Sequence, residues 1–154
     1  MIKPLMWASA VIVSAIPHVV FAQDPALLEK AATKYVTKVA WRLDSALAGN
    51  FTCAGHTERA ILGVTETEIV IAIFVHGLNL RPEVLRYSAE NRNPKTVKLE
   101  AESLDYEPKE VIGYDPDGFK RSRSCKGLNL SDGETDSAHI YWNEKLHRFD
   151  DWTL

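Results

Sequence analysis

A chain of 154 residues, 45% of them hydrophobic, is long enough to bury one real core. Its formal charge of −3, without a basic tail or stripe, excludes a general nucleic-acid binder and gives no reason to expect an anionic membrane surface as partner.

The first expected element is an export signal. Lys3 supplies a positive start, a largely apolar run extends from Leu5 through Phe21, and Val20 and Ala22 stand where signal peptidase accepts small residues. Cleavage is expected after Ala22. A retained anchor is disfavoured because Pro17 and His18 interrupt the run and no basic stop-transfer cluster follows. The mature protein is then residues 23–154, a single globular domain that is periplasmic or secreted and is not inserted in the membrane after cleavage. Its two cysteines, Cys53 and Cys125, are expected to form one disulfide in that oxidising compartment. No CxxC spacing favours a reactive or metal-binding pair instead.

Asp24 before Pro25 is a helix start, an acceptor at the cap followed by a residue whose missing N–H costs nothing in the first turn. Leu28, Ala32, Tyr35, Val39, Leu43 and Ala46 then recur at steps of three and four, and Lys30, Lys34, Lys38 and Arg42 fall mostly on the opposite side. The spacing predicts an amphipathic helix over about 25–48, ended by Gly49. Beyond it the pattern becomes β-rich, over about 51–154. Residues 58–64 and 68–76 flank Thr65-Glu66-Thr67 and predict a hairpin, its second strand apolar enough to be buried on both faces. Residues 83–88 predict a further strand, and 96–104 one that alternates Val97, Leu99, Ala101 and Ser103 with Lys98, Glu100 and Glu102. Val111 and Ile112 suggest another short strand. Residues 113–137 are rich in Gly, Asp and Asn and are expected as a loop, interrupted by a short strand or pinned by Cys125. Tyr141, Trp142, Phe149 and Trp152 are expected to lock the core at the end of the chain. The fold class is therefore α+β, an N-terminal amphipathic helix followed by a mostly antiparallel β-rich domain stapled by one disulfide.

The candidate binding loop gathers Asp115, Asp117, Arg121, Arg123, Asp132, Glu134, Asp136, His139 and Tyr141. Asp115-Pro116-Asp117-Gly118 begins like a calcium loop, but Phe119 and Lys126 stand where an EF-hand needs ligands, and Lys120, Arg121 and Arg123 could pair with the two aspartates instead. Residues 50–61, Asn-Phe-Thr-Cys-Ala-Gly-His-Thr-Glu-Arg-Ala-Ile, carry Phe51, Gly55, Glu58 and Ala60 in the frame of FG-GAP-type calcium loops, and residues 132–136 carry the Asp-Gly-x-x-Asp half of it. These two stretches resemble degenerate FG-GAP-type repeats. The resemblance implies loop-then-strand units in a β-rich domain. It makes calcium the one cofactor to consider, with Asp132 and Asp136 as candidate ligands, since Thr52 and Ala54 have replaced carboxylates in the first loop.

Signatures of catalysis are missing from the sequence. There is no Gly-x-Ser-x-Gly elbow and no His-Glu-x-x-His helix, and His56, His76 and His139 are spaced without a ligand pattern. Glu100 and Glu102 read as a solvated strand face. The leading expectation is thus a small, exported, non-enzymatic binding domain, inhibitor-like in size, acting on a protein or cell-envelope component. The alternatives are a calcium-stabilised adhesion or scaffold module, and a hydrolase using His139 with Asp132 or Asp136.

Overall fold

Asp24 caps the first helix as expected. In the computed structural model, which describes residues 24–154, its carboxylate accepts the N–H of Ala26 at 2.9 Å and Pro25 fills the first helical position. The expected export signal, residues 1–22, lies outside the described residues. Helix α1 spans Pro25–Tyr35 and stops there. The predicted continuation to residue 48 is wrong. Val36 is already extended, Lys38 takes a positive φ of 62°, and Ala40–Trp41 becomes strand β1 against Val64 and Gly63. Crowding at the β-branched Val36, Thr37 and Val39 weakens the helix here, and sheet pairing outbids what remains. The periodic Leu43 lies in a short 3-10 turn, Leu43–Ser45, and Gly49 closes strand β2, Leu47–Gly49, with the Phe51 ring against it. Arg42 is likewise no member of a helical lysine row. Its guanidinium donates to the carbonyls of Pro94 and Val97.

Strands β3 (Glu58–Val64) and β4 (Glu68–Phe74) form the expected hairpin, and β5 (Glu83–Ser88) extends it. β1 and β2 both pair with β3, completing one antiparallel sheet. The second sheet is a meander of β6 (Lys98–Leu104), β7 (Ser122–Ser131), β8 (Ala138–Asn143) and β9 (Arg148–Trp152). The sheets face each other across a core in which Leu62, Ile69, Ile71 and Ile73 meet Leu99, Leu128, Leu130, Ile140 and Phe149. The other face of β4, Val70, Ala72 and Phe74, packs with Leu28 and Ala32 of α1. β4 is thus buried on both faces, as its apolar run predicts.

Two expectations after residue 104 need correction. Val111 and Ile112 belong to a short helix, α2 (Lys109–Ile112), which starts after Pro108 and ends on Gly113 at φ 80°. The turn-rich stretch expected over 113–137 is interrupted by a strand, as one of the two alternatives has it, but the strand is long: residues 122–131 form a ten-residue interior strand that contains Cys125. Its loop-like residues serve packing. A Cβ at Gly127 would come within 2.8 Å of the Ile140 carbonyl oxygen, so only glycine lets β7 lie this close to its neighbour.

The disulfide Cys53–Cys125 is present, with its Cα atoms 5.1 Å apart, and links the segment after β2 to β7, so it ties one sheet to the other. Beside it the Lys126 N–H donates to the Asn50 carbonyl at 3.0 Å. The buried Glu58 carboxylate holds the loop between β2 and β3. It accepts the Phe51 N–H at 2.5 Å and the Thr52 hydroxyl at 2.5 Å, and His56 lies 3.1 Å away. The oxygen donors of the first calcium-like loop are therefore spent on one another, with Asn50 accepting from the Gly55 N–H. Because the bridge closes a long loop, a Cys53→Ala/Cys125→Ala variant should lose about 3–4 kcal/mol of stability in a urea melt at neutral pH.

Candidate functional site

Alternation decides which side chains leave the core. Along β8, Ala138 and Ile140 point inward, so His139, Tyr141 and Asn143 point outward. On β9, Phe149 points inward and Trp152 outward. β6 and β7 add Glu102 and Asn129 to the same outer face. The result is a polar and aromatic surface over which the 105–121 connection between β6 and β7 is laid.

His139 stacks on Trp152 with centroids 4.0 Å apart and planes 14° from parallel, and its Nδ1 lies 2.9 Å from Glu102 Oε2. Asn129 donates to the same carboxylate oxygen at 3.4 Å. Tyr106 packs edge-on against both His139 and Trp152. Next along the face, Phe119 meets Tyr141 edge-on at 5.3 Å and Tyr106 at 5.5 Å. Leu104, Tyr141 and Trp152 are buried beneath this cover. Burial, then the nearby Glu102, raises the Tyr106 phenol, which stays protonated in the physiological range.

Ion pairs and hydrogen bonds fix the loop at its neck and at its tip. Arg121 donates from Nε to Asp105 and from Nη1 to Glu107, each at 2.7 Å, and Arg123 approaches Asp105 at 3.2 Å. The hydrogen bond to Glu107, followed by the Asp105 contacts, raises the Arg121 pKa further. At the tip the Asp117 carbonyl accepts both the Tyr141 hydroxyl and the Asn143 amide at 2.9 Å. The Gly118 carbonyl accepts the Glu144 N–H at 3.1 Å, and Lys145 pairs with the Asp117 carboxylate. Burial, then the neighbouring aspartates, pushes the Tyr141 hydroxyl up to about 12, so it remains a donor at neutral pH. Among the charged residues that the anchored loop exposes, Lys109 included, stand two large hydrophobic side chains. Val111 is 57% and Tyr114 55% exposed, flanked by the exposed acids Glu110 and Asp115, with Leu146 half-exposed on the adjoining β8–β9 turn.

The predicted loop set therefore divides. Asp117, Arg121, Arg123, His139 and Tyr141 build the outer face or anchor the loop, although Arg121 and Arg123 pair with Asp105 and Glu107 and not with Asp115 or Asp117. Asp132, Glu134 and Asp136 lie at the opposite end of β7. There Asp132 Oδ1 accepts the N–H groups of Glu134 and Thr135 and the Thr135 hydroxyl at 2.9–3.0 Å, while Oδ2 accepts the Asn93 N–H at 2.8 Å. These donors, led by the Thr135 N–H, hold the Asp132 carboxyl far below the usual range. Oxygens so engaged are poor calcium ligands, and among the described residues no three His, Cys, Asp or Glu side chains converge on a metal position. His139 takes Glu102 as its carboxylate partner, not Asp132 or Asp136. Its hydrogen-bond and stacking partners are Glu102, Asn129, Tyr106 and Trp152, and they include no Ser, Thr or Cys nucleophile.

Sequence reasoning missed Glu102, Asp105, Tyr106, Glu107, Phe119 and Asn143. The aromatic spacing around Pro108 was the one available signal, while Asn143 gave none. Two outcomes test the geometry. Gly118 sits at φ 68° and a Cβ there would fall 2.0 Å from Asn143 Oδ1. Gly118→Ala should therefore cost at least about 1–2 kcal/mol in a thermal melt and open the 109–117 stretch to limited proteolysis. Asp132 has a depressed carboxyl, so its stabilisation is complete above about pH 4, the unfolded value, and is lost as pH falls through the folded one. Asp132→Asn should lower stability at pH 7 and flatten the acid limb of stability against pH.

Compared with family models, curated proteins and solved structures, the chain finds no match, and its reading rests on its own geometry.

Proposed function

We propose that this chain is a small, exported, non-enzymatic binding domain that presents its 105–121 loop to a protein partner in the manner of an inhibitor. The observation that carries the reading is the combination of anchoring and exposure. Arg121, Tyr141 and Asn143 fix the loop in one shape, while Val111 and Tyr114 face solvent at its crest. A loop ordered before binding loses little entropy on docking, and an exposed tyrosine is the kind of side chain that anchors interfaces. The acids Glu110 and Asp115 beside it suit a partner whose cleft is apolar with a basic rim. The Glu102–His139 pair lies beneath the loop's own aromatic cover and reads as a polar brace for it. Export is proposed from residues 1–22 and is compatible with the disulfide.

The test is retention of a cell-envelope protein on the immobilised chain. A specific partner should bind wild type and a Lys30→Ala control on α1 equally. Tyr114→Ala and Val111→Asp should each weaken it by roughly thirtyfold or more, the effect of losing a hot spot of about 2 kcal/mol. Equal retention by both loop variants, or no partner at micromolar concentration, contradicts the proposal.

A further inference from the structure

At the end of the second sheet away from the 105–121 loop, a cavity of about 310 Å³ opens between the end of β5 with the chain after it, the β7–β8 turn and the chain after β9, lined by Tyr87, Asn91, Arg92, Thr135, Asp136 and Leu154 among others. Arg92 is its unusual member. The residue is only 9% exposed, yet no carboxylate among the described residues lies within ion-pair distance of its guanidinium. Its two side-chain hydrogen bonds both leave from Nη1 and both are long, to the Leu130 carbonyl at 3.3 Å and the Thr135 hydroxyl at 3.5 Å. The Tyr87 ring lies 5.9 Å from the guanidinium, and Tyr87 is in turn a neighbour of the Asp151 carboxylate.

A guanidinium carries five donors, and the two long bonds engage only one of its three nitrogens, which leaves donors for a ligand carboxylate on the cavity side. The arrangement is also preformed. Asp132 accepts from the N–H groups of both Asn93, next to Arg92, and Thr135, so the segments that carry these two lining residues are tied together before any ligand arrives. Two features narrow the ligand. The volume is at the small end of ligand sites. The surrounding charge is also mixed, with Asp136 exposed on the rim and Asp151 on β9 close enough for its charge to be felt by Arg92. A bare anion drawn to Arg92 would meet that negative charge. A ligand carrying its own cation would not be penalised by it.

We infer that this cavity binds a small zwitterion of the amino-acid class, its carboxylate on the Arg92 guanidinium and its ammonium group toward Asp136. Glycine is the probe because it has both charges and no side chain to misfit. In an NMR titration of the full chain, glycine should shift the amides of Asn91 and Thr135 saturably. Acetate and ethylammonium, each with half the charges, should bind about tenfold more weakly or worse, since each forfeits a charge-assisted hydrogen bond. Arg92→Gln should abolish the glycine shifts. Asp136→Asn, at an exposed position that should leave the fold intact, should reduce glycine to the affinity of acetate, and it carries the test if Arg92→Gln does not fold. No saturable shift with glycine, acetate binding as well as glycine, or glycine binding unchanged in Asp136→Asn would each overturn the inference.

Discussion

The structure depends first on the double burial of β4. Ile69, Ile71 and Ile73 are fully buried against the second sheet, while Val70, Ala72 and Phe74 are buried on the side of α1. At about 1.5–3 kcal/mol for each large aliphatic or aromatic side chain, this strand contributes more than the roughly 4 kcal/mol assigned to the disulfide. The bridge between Cys53 and Cys125 and the buried Glu58 carboxylate fix how the sheets meet. They are fasteners on an assembly that the apolar faces already specify.

That layered core leaves the second sheet with one face unclaimed by hydrophobic packing. Its inward side chains meet the first sheet, and its outward ones, His139, Tyr141, Asn143 and Trp152, need another cover. The chain supplies one from its own 105–121 connection, and the acceptors it offers there are backbone carbonyls of Asp117 and Gly118 as well as side chains. A connection held by such bonds cannot rearrange cheaply, because freeing it would strand buried donors. Rigidity and the exposure of Val111 and Tyr114 thus have a common origin. The opposite end of the sheet follows another logic. There Asp132 closes two turns around Arg92, and charge replaces aromatic packing as the organising feature.

Much of the fold was legible where period and burial coincide. The β3–β4 hairpin, the doubly buried strand, the helix start at Asp24 and the disulfide all follow from residue patterns, because each depends on side chains near in sequence or on a single available pairing. The reading failed where tertiary context overrides local pattern. Val39, Leu43 and Ala46 continue a helical period by coincidence, while the chain has turned at Lys38 to pair with Gly63. The length of β7 was hidden because Gly127, Asn129 and Ser131 look like loop residues, although Gly127 is required by close packing and Leu128 and Leu130 carry the inward alternation. The site was legible in part. His139, Tyr141, Arg121 and Asp117 were singled out, but their partners Glu102, Asp105, Glu107 and Asn143 become neighbours only through strand register, which spacing along the chain does not reveal.

The central claim is that the 105–121 loop is ordered before any partner arrives. Backbone ¹⁵N relaxation of the free protein measures this directly at residues 109–118. Order parameters of about 0.85, as expected of a rigid backbone, are predicted for the amides between Lys109 and Gly118; values below about 0.6 there would show a loop that orders only on binding and would contradict the claim.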